Sequence, residues 1–330
     1  MIRIAVIGAG RIGQIHAANL AQNEIADVVY VSDVIDSAAS SLAKRIGATV
    51  ATVDQVMDDT SVHAVVIASS TDTHSALVEQ AATAGKAIFC EKPLDLSSAR
   101  AAASLAVAEK HGVLLCLGFN RRHDPSFSRL KDEIDAGTIG NVEVISITSR
   151  DPAPPPVEYI ERSGGLFRDM MIHDFDIGRW LLGEEPDRVF ATGSVMTNPE
   201  IAKAGDIDTA IAVLRTPSGR MCQITNSRRC DYGYDQRIEV FGSNGMVRAD
   251  NQTNTRVEIA NASGFSTEPA LPFFLERYSD AYRIQLDKFL RVANGENLSI
   301  PGGMDGLRAL QLADAAQQSL ESGLVVTIES

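Results

Sequence analysis

Apolar positions along the chain fall into two regimes. Over the first 120 residues, short aliphatic runs at 2–7, 28–32, 64–68, 87–90 and 114–117 alternate with segments of helical spacing at 11–22, 37–46, 73–84 and 96–111. The short runs are continuous and rich in β-branched residues, as strands of a parallel sheet covered on both faces must be. Repeated strand–helix units of this kind predict a doubly wound parallel sheet, a Rossmann fold, over residues 1–120. Asp124-Pro125 then reads as a helix N-cap followed by Pro at the first helical position, with the helix running to about Ala136 and stopping at Gly137. Beyond it the pattern changes to strands at 142–149, 188–195, 208–215, 220–226, 236–241 and 256–259. Turn signals such as Thr216-Pro217-Ser218-Gly219 and Gly242-Ser243-Asn244-Gly245 read as hairpin connections between them. Helical spacing returns at 166–182, 273–293 and 304–322, and Pro152, Pro154, Pro155 and Pro156 make a stiff extended link. The expected whole is an α/β protein: a Rossmann domain at 1–120, then an α+β domain at 121–330 with a large open, mainly antiparallel sheet.

Composition narrows the function. The chain has 330 residues, 45% hydrophobic and only 5% aromatic, so two packed domains with aliphatic cores are expected. A formal charge of −13 opposes binding to nucleic acid or to an anionic membrane surface, both of which require clustered Lys and Arg. Cys90, Cys116, Cys222 and Cys230 form no C-x-x-C pair and are expected as buried free thiols in a reducing compartment. No charged leader precedes the first strand, and no run reaches the ~18 apolar residues of a membrane helix. A soluble, cytoplasmic protein is the expectation.

The first strand ends in Gly8-Ala9-Gly10-Arg11-Ile12-Gly13, a G-x-G-x-x-G turn between a strand and a helix. Gly8 permits the tight turn, Gly10 lets the backbone approach a pyrophosphate, and Gly13 lets the helix pack on the strand. The helix N-terminus supplies N–H groups and a positive dipole end to the phosphates. Asp33 follows Gly13 by twenty residues and ends the second strand, placed to bind ribose hydroxyls. With Asp36 nearby and no Arg directly after Asp33, NAD is expected over NADP. Ser69, Ser70 and Thr71, with His74 three residues on, follow the third strand, and Glu91-Lys92-Pro93 follows the fourth. Ligands bind outside such strand ends, so both segments are expected to border the cofactor. For His74 a capping or packing role stands equally open.

The densest chemistry lies in residues 164–176, Gly-Gly-Leu-Phe-Arg-Asp-Met-Met-Ile-His-Asp-Phe-Asp. On a continuous α-helix Asp169, His173 and Asp176 share one face, and Asp174 points elsewhere. Oxidation of an alcohol needs a base for the hydroxyl proton, and an imidazole near pKa 6.5 suits that work at neutral pH. A carboxylate beside it fixes the tautomer, and Lys92 is suited to steady a developing alkoxide. His173 is therefore the candidate base, Asp169 its orienting partner, and Lys92 is expected to meet them across an interdomain cleft. Against this stand a merely solvated acidic face and a satisfied core histidine. A metal site finds no second His or Cys at ligand spacing.

Taken together, these residues resemble the Gfo/Idh/MocA oxidoreductases over essentially the whole chain. The resemblance rests on Gly8 to Gly13, Glu91-Lys92-Pro93, Gly118-Phe119-Asn120-Arg121-Arg122 and the Asp169, His173, Asp176 helix. The stretch from Ser149 to Pro156 and Tyr232-Gly233-Tyr234-Asp235-Gln236 resemble the family's inositol-oxidising branch. The resemblance implies NAD-dependent oxidation of a cyclic polyol, myo-inositol to 2-keto-myo-inositol, with Lys92, Asp169 and His173 as the catalytic set. It implies a homotetramer assembled through the open sheet, and a cis peptide bond at Lys92–Pro93. Asp151, Asp176 and either Tyr232 or Tyr234, of which Tyr232 is preferred, match polyol-contacting positions. Some inositol enzymes have Asn where Asp151 aligns, which leaves the preferred stereoisomer open. A scyllo-inositol or glucose-type dehydrogenase is the alternative within the family, and a non-catalytic NAD-binding regulator the alternative outside catalysis. A neutral polyol also suits the residues themselves, since Asp151, Asp169, His173, Asp176 and Tyr232 offer many donors and acceptors and no Arg cluster marks the helix for an anion.

Overall fold

The computed structural model of the chain describes residues 1–328. Its packing divides the chain into two units, Met1–His123 with Asp280–Leu310, and Asp124–Ser279 with the residues from Gln311 on.

In the first unit, strands β1 (Ile2–Ile7), β2 (Ala26–Ser32), β3 (Thr49–Val50), β4 (Ala64–Ile67), β5 (Ala87–Cys90) and β6 (Leu115–Leu117) form one parallel sheet in the order β3-β2-β1-β4-β5-β6. Helices α1 (Arg11–Ala21), α2 (Asp36–Ile46), α3 (Val53–Asp58), α4 (Thr71–Thr83) and α5 (Ser98–His111) connect them. Local chemistry sets their limits. Thr52 and Gln55 close a reciprocal capping box on α3, and Gly47 and Gly112 end α2 and α5 in the left-handed conformation. The short β3 and α3 carry too few apolar positions to show periodicity, and the sequence pattern leaves them out.

The return of Asp280–Leu310 departs from a single division at residue 120. Leu286, Phe289 and Leu290 join Ile4, Val6, Val31, Val66 and Phe89 in one buried cluster, so a late helix completes the core of the first sheet. An amphipathic helix advertises an apolar stripe but not which sheet that stripe covers.

The second unit opens with α6 (Pro125–Asp135), where the Asp124 carboxylate accepts from the N–H groups of Ser126 and Phe127, both at 3.1 Å. The chain continues through β7 (Val142–Arg150), α7 (Val157–Ser163), α8 (Ile172–Leu182), β8 (Arg188–Ser194), α9 (Pro199–Lys203), β9 (Thr209–Arg215), β10 (Met221–Ser227), β11 (Asp235–Gly242) and β12 (Gly245–Ala249). β13 (Glu258–Asn261) and β14 (Gly264–Thr267) pair only with each other. Then come α10 (Phe274–Arg277), α11 (Ser279–Ala293), α12 (Gly303–Ser322) and β15 (Val326–Thr327). α11 belongs almost wholly to the first unit, and α12 is divided at Leu310. The seven-stranded sheet runs β12-β11-β7-β10-β9-β8-β15 and is antiparallel except where β7 and β10 lie parallel. α8 covers one face: a Cβ on Gly178 would lie 3.1 Å from Cys222 Sγ and 3.6 Å from Ile147 Cδ1. The opposite face carries Phe190, Ile211, Val213, Met221, Phe241 and Met246, all exposed. All four cysteines are free and buried.

Two expected helices are interrupted. Residues 273–293 break at Tyr278, whose buried hydroxyl donates to Gln236 Oε1 at 3.0 Å. Residues 166–182 begin with a π-helical turn, Phe167–Met171, before α8. His173 and Asp176 keep their i,i+3 relation within α8, whereas the wider turn removes Asp169 from simple α-helical register with them. Among the described residues, no helix is long and apolar enough to cross a membrane.

Candidate active site

In the first unit the glycine turn behaves as its spacing predicts, for steric reasons. Gly8 has φ +105°, and a Cβ there would lie 2.5 Å from the Ala68 carbonyl carbon. A Cβ on Gly13 would lie 1.9 Å from the Gly8 carbonyl oxygen, so only glycine allows α1 to start where it does. Around Gly10 nothing lies within 4 Å of an added Cβ, and Gly10 caps α1 without a side-chain partner for the first N–H groups. Open space above unpartnered N–H groups at a helix start fits a dinucleotide pyrophosphate. Arg11 and Ile12 occupy the first turn of α1, exposed and half-buried respectively. Asp33 Oδ2 accepts from Ala9 N–H at 2.6 Å and its Oδ1 from Ile35 N–H at 2.8 Å. The carboxylate thereby ties the end of β2 to the glycine turn and retains lone pairs for ribose hydroxyls.

At the end of β4, Ser69 Oγ lies 2.6 Å from Thr73 Oγ1, Ser70 occupies the N-cap position of α4 without a side-chain capping bond, and Thr71 begins the helix. Two residues of the segments expected to border the cofactor, His74 and Glu91, have their polar atoms turned into the fold. His74 is buried, with Nδ1 2.8 Å from the Pro93 carbonyl oxygen and Nε2 3.2 Å from that of Ser69. Burial holds its pKa below the ordinary value, against the opposing pull of those carbonyls. Glu91 is also buried, its Oε1 2.7 Å from His16 Nε2 and its Oε2 3.3 Å from Lys92 N. Lys92 itself is half-buried, and its peptide bond to Pro93 is cis, as the resemblance implies.

In the second unit, the acidic residues that a merely solvated helix face would expose are largely withdrawn from water. Asp174 is fully buried and accepts from Asn226 Nδ2 at 2.9 Å, while Asp176 is buried with Arg179 Nη1 3.7 Å away. Asp169 and His173 are half-buried. Asp169 Oδ1 accepts from the Tyr159 hydroxyl at 2.9 Å, and Arg228 Nη2 stands 3.9 Å from its Oδ2. Sequence reasoning missed both neighbours: Tyr159 lies in a helix with no motif, and Arg228 follows a strand and is buried without any local signal. Asp151 is half-buried just past β7, held by its N–H to the Ser227 carbonyl at 2.9 Å.

The two tyrosines separate cleanly. Tyr234 is buried against Phe273 and Tyr278, whereas Tyr232 is half-exposed. The Tyr232 hydroxyl donates to Asp235 Oδ2 at 2.7 Å and also meets Arg150. Withdrawal of the hydroxyl from water, reinforced by Asp235, pushes its pKa up to about 12, so it remains a neutral donor. Of the three arginines that could serve an anionic substrate, Arg122 is paired with Asp305 at 2.8 Å, Arg168 is paired with Asp314 at 2.7 Å, and Arg121 is buried.

A family model described as an oxidoreductase family with an NAD-binding Rossmann fold matches residues 2–119, and one described as a GFO/IDH/MocA C-terminal domain matches residues 127–248. The chain is 47% identical over 327 residues to an inositol 2-dehydrogenase of Rhizobium meliloti, covering 99% of both chains. It is 48% identical over 331 residues to a myo-inositol 2-dehydrogenase of Thermotoga maritima, again covering 99% of both. Among solved structures, a myo-inositol dehydrogenase from Corynebacterium glutamicum aligns with a TM-score of 0.96 at 41% identity, over 100% of this chain and 99% of that one. A scyllo-inositol dehydrogenase from Lactobacillus casei, bound to NAD(H) and scyllo-inositol, aligns with a TM-score of 0.91 at 31% identity over 99% of each chain.

Proposed function

The chain belongs to the Gfo/Idh/MocA oxidoreductase family, with an NAD-binding Rossmann domain, and on that premise we propose that it oxidises a cyclic polyol, myo-inositol, to 2-keto-myo-inositol. The observation that carries the reading is full-length identity of 47% and 48% to two proteins named inositol 2-dehydrogenases, with Lys92, Asp169 and His173 all present. When bound, NAD accepts the hydride. Gly8, Gly10, Arg11, Ile12 and Gly13 would hold its pyrophosphate and Asp33 its adenosine ribose, with Ser69, Ser70 and Thr71 bordering it.

Chemistry at the substrate falls to Lys92, Asp169 and His173. His173 accepts the hydroxyl proton as general base. Asp169, which accepts from the Tyr159 hydroxyl and has Arg228 nearby, orients the imidazole and stabilises it once protonated. The Lys92 ammonium steadies the developing alkoxide and relays the proton. Asp151, Asp176 and Tyr232 bind the remaining hydroxyls. The ion pairs that occupy Arg122 and Arg168 favour a neutral ring over a carboxylate or phosphate.

The second unit, the part of the expected 121–330 domain outside residues 121–123 and Asp280–Leu310, would then hold substrate and assemble the enzyme. The exposed apolar row on the outer face of the seven-stranded sheet supports a homotetramer built through that face. A cytoplasmic site of action fits four free thiols. A second reading, scyllo-inositol as preferred substrate, is favoured by the likeness to the Lactobacillus casei enzyme.

Absorbance of NADH, followed with purified protein, NAD or NADP, and myo-inositol, scyllo-inositol, D-chiro-inositol or D-glucose, tests these readings together. Turnover highest with myo-inositol and NAD is expected. Turnover highest with scyllo-inositol selects the second reading, and none with any inositol overturns both.

A further inference from the structure

Lys92 sits between two residues that are each held by a buried histidine from a different helix. The Glu91 carboxylate, just before it, takes Oε1 to within 2.7 Å of His16 Nε2. His16 is fully buried in α1, edge-on to Phe89 at 5.1 Å and to Tyr282 at 5.8 Å between ring centroids. Its Nδ1 has no hydrogen-bond partner among the described residues, so the proton belongs on Nε2, which donates to Glu91. Just after Lys92, the Pro93 carbonyl lies 2.8 Å from His74 Nδ1 in α4. Both nitrogens face carbonyls, which only accept, and a neutral ring has one N–H to give; the shorter contact places it on Nδ1, leaving Nε2 3.2 Å from the Ser69 carbonyl. α1 begins at the glycine turn and α4 directly after Ser69-Ser70, so the two helices that open on the cofactor turns both reach back to the segment carrying Lys92.

From this we infer that His16 and His74 are positioning residues: they clamp the backbone on either side of Lys92 and fix its ammonium relative to the bound dinucleotide, touching neither substrate nor cofactor. Glu91 is the intermediary on one side and the Pro93 carbonyl on the other. Gly118 completes the clamp, since a Cβ there would lie 2.7 Å from Glu91 Oε2 and displace the carboxylate. Fixed placement of a catalytic group matters because a shift of about 1 Å can cost roughly a hundredfold in rate. The inference rests on the proposed role of Lys92.

Asparagine places its amide nitrogen where histidine has Nδ1, and glutamine where it has Nε2. His16→Gln and His74→Asn therefore keep the clamping bond, while His16→Asn and His74→Gln lose it. Steady-state kinetics with myo-inositol and NAD, NADH titration by fluorescence and thermal melts would be run on all four, with Gly118→Ala and Lys92→Ala. The expected result is near-wild-type kcat in His16→Gln and His74→Asn. In His16→Asn, His74→Gln and Gly118→Ala, kcat falls roughly tenfold to a hundredfold with NADH affinity unchanged. Equal kcat within both pairs, or a loss confined to NADH affinity, overturns the clamp while a dead Lys92→Ala leaves the Lys92 assignment standing. Full turnover in Lys92→Ala overturns that assignment and the clamp with it. If a histidine variant fails to fold, Gly118→Ala decides, and unchanged kcat there sinks the idea.

Discussion

The two sheets of this protein use similar short aliphatic strands in opposite ways. In β4 every residue is buried, and in β1 all but one, because helices cover both faces. In β9 and β10 burial alternates, with Ala212, Leu214, Cys222 and Ile224 turned to the covered face and Ile211, Val213 and Met221 to the outside. A doubly covered sheet leaves only its strand ends for chemistry, and there the glycine turn, Asp33, Ser69 and Lys92 all stand. A singly covered sheet leaves a whole face free for assembly, while the candidate acid–base residues lie on or next to the helix that covers the other face.

The sharpest way to break the comparison is at a strand end. Lys92→Ala is expected to lower kcat by roughly two to four orders of magnitude, with NADH affinity in a fluorescence titration unchanged; near-wild-type turnover would remove Lys92 from the mechanism. Next come two glycines of one motif. Gly13→Ala, whose methyl would overlap the Gly8 carbonyl, should cost about 3 kcal/mol or more in urea denaturation. Gly10→Ala should melt like wild type and lose NAD affinity alone, since its methyl meets only the space a pyrophosphate would take. If both variants lose the same stability, the open space at Gly10 is not a ligand's. Asp33→Ala should weaken NAD about fivefold and relax discrimination against NADP, a ribose hydrogen bond being worth about 1 kcal/mol; unchanged preference would remove Asp33 from the ribose.

On the other sheet, Ile211→Lys should change stability by no more than about 0.5 kcal/mol, yet reduce the mass measured by light scattering. The neighbouring Ile224→Lys, on the covered face, should not fold. An unaltered mass for Ile211→Lys would remove this face from the assembly. The smallest effect concerns pH. Burial, with Lys288 and Arg122 nearby, pushes His123 down to about 3, and burial lowers His74 as well. An unfolded imidazole titrates near 6.5, so below that pH the unfolded chain takes up protons that the folded chain refuses. Stability is therefore full above about pH 6.5 and falls as the pH drops toward 3, by up to about 1.4 kcal/mol per pH unit for each such histidine. His123→Phe should flatten the fall in urea midpoint between pH 7 and 5, and equal slopes would exclude His123 as a cause.

Much of this was legible along the chain because it depends on near neighbours. The glycine turn, the position of Asp33, the buried strands of the first sheet and both hairpins of the second follow from spacing, periodicity and turn chemistry over a few residues. The π-helical turn before α8 was not legible, since the apolar spacing of 166–182 is equally that of a continuous helix and packing decides where an extra residue is absorbed.

By itself, then, the sequence determined the Rossmann half, its cofactor motif and the candidate acid–base residues, since local sterics and side-chain periodicity dictate these. Only the tertiary structure decided that Leu286, Phe289 and Leu290 close the core of the first sheet, that His16 holds Glu91, and that Asp169 stands beside Tyr159 and Arg228. Such pairs join residues far apart in the chain or outside any motif, and their partners are selected by the packing of whole elements, which no local spacing encodes.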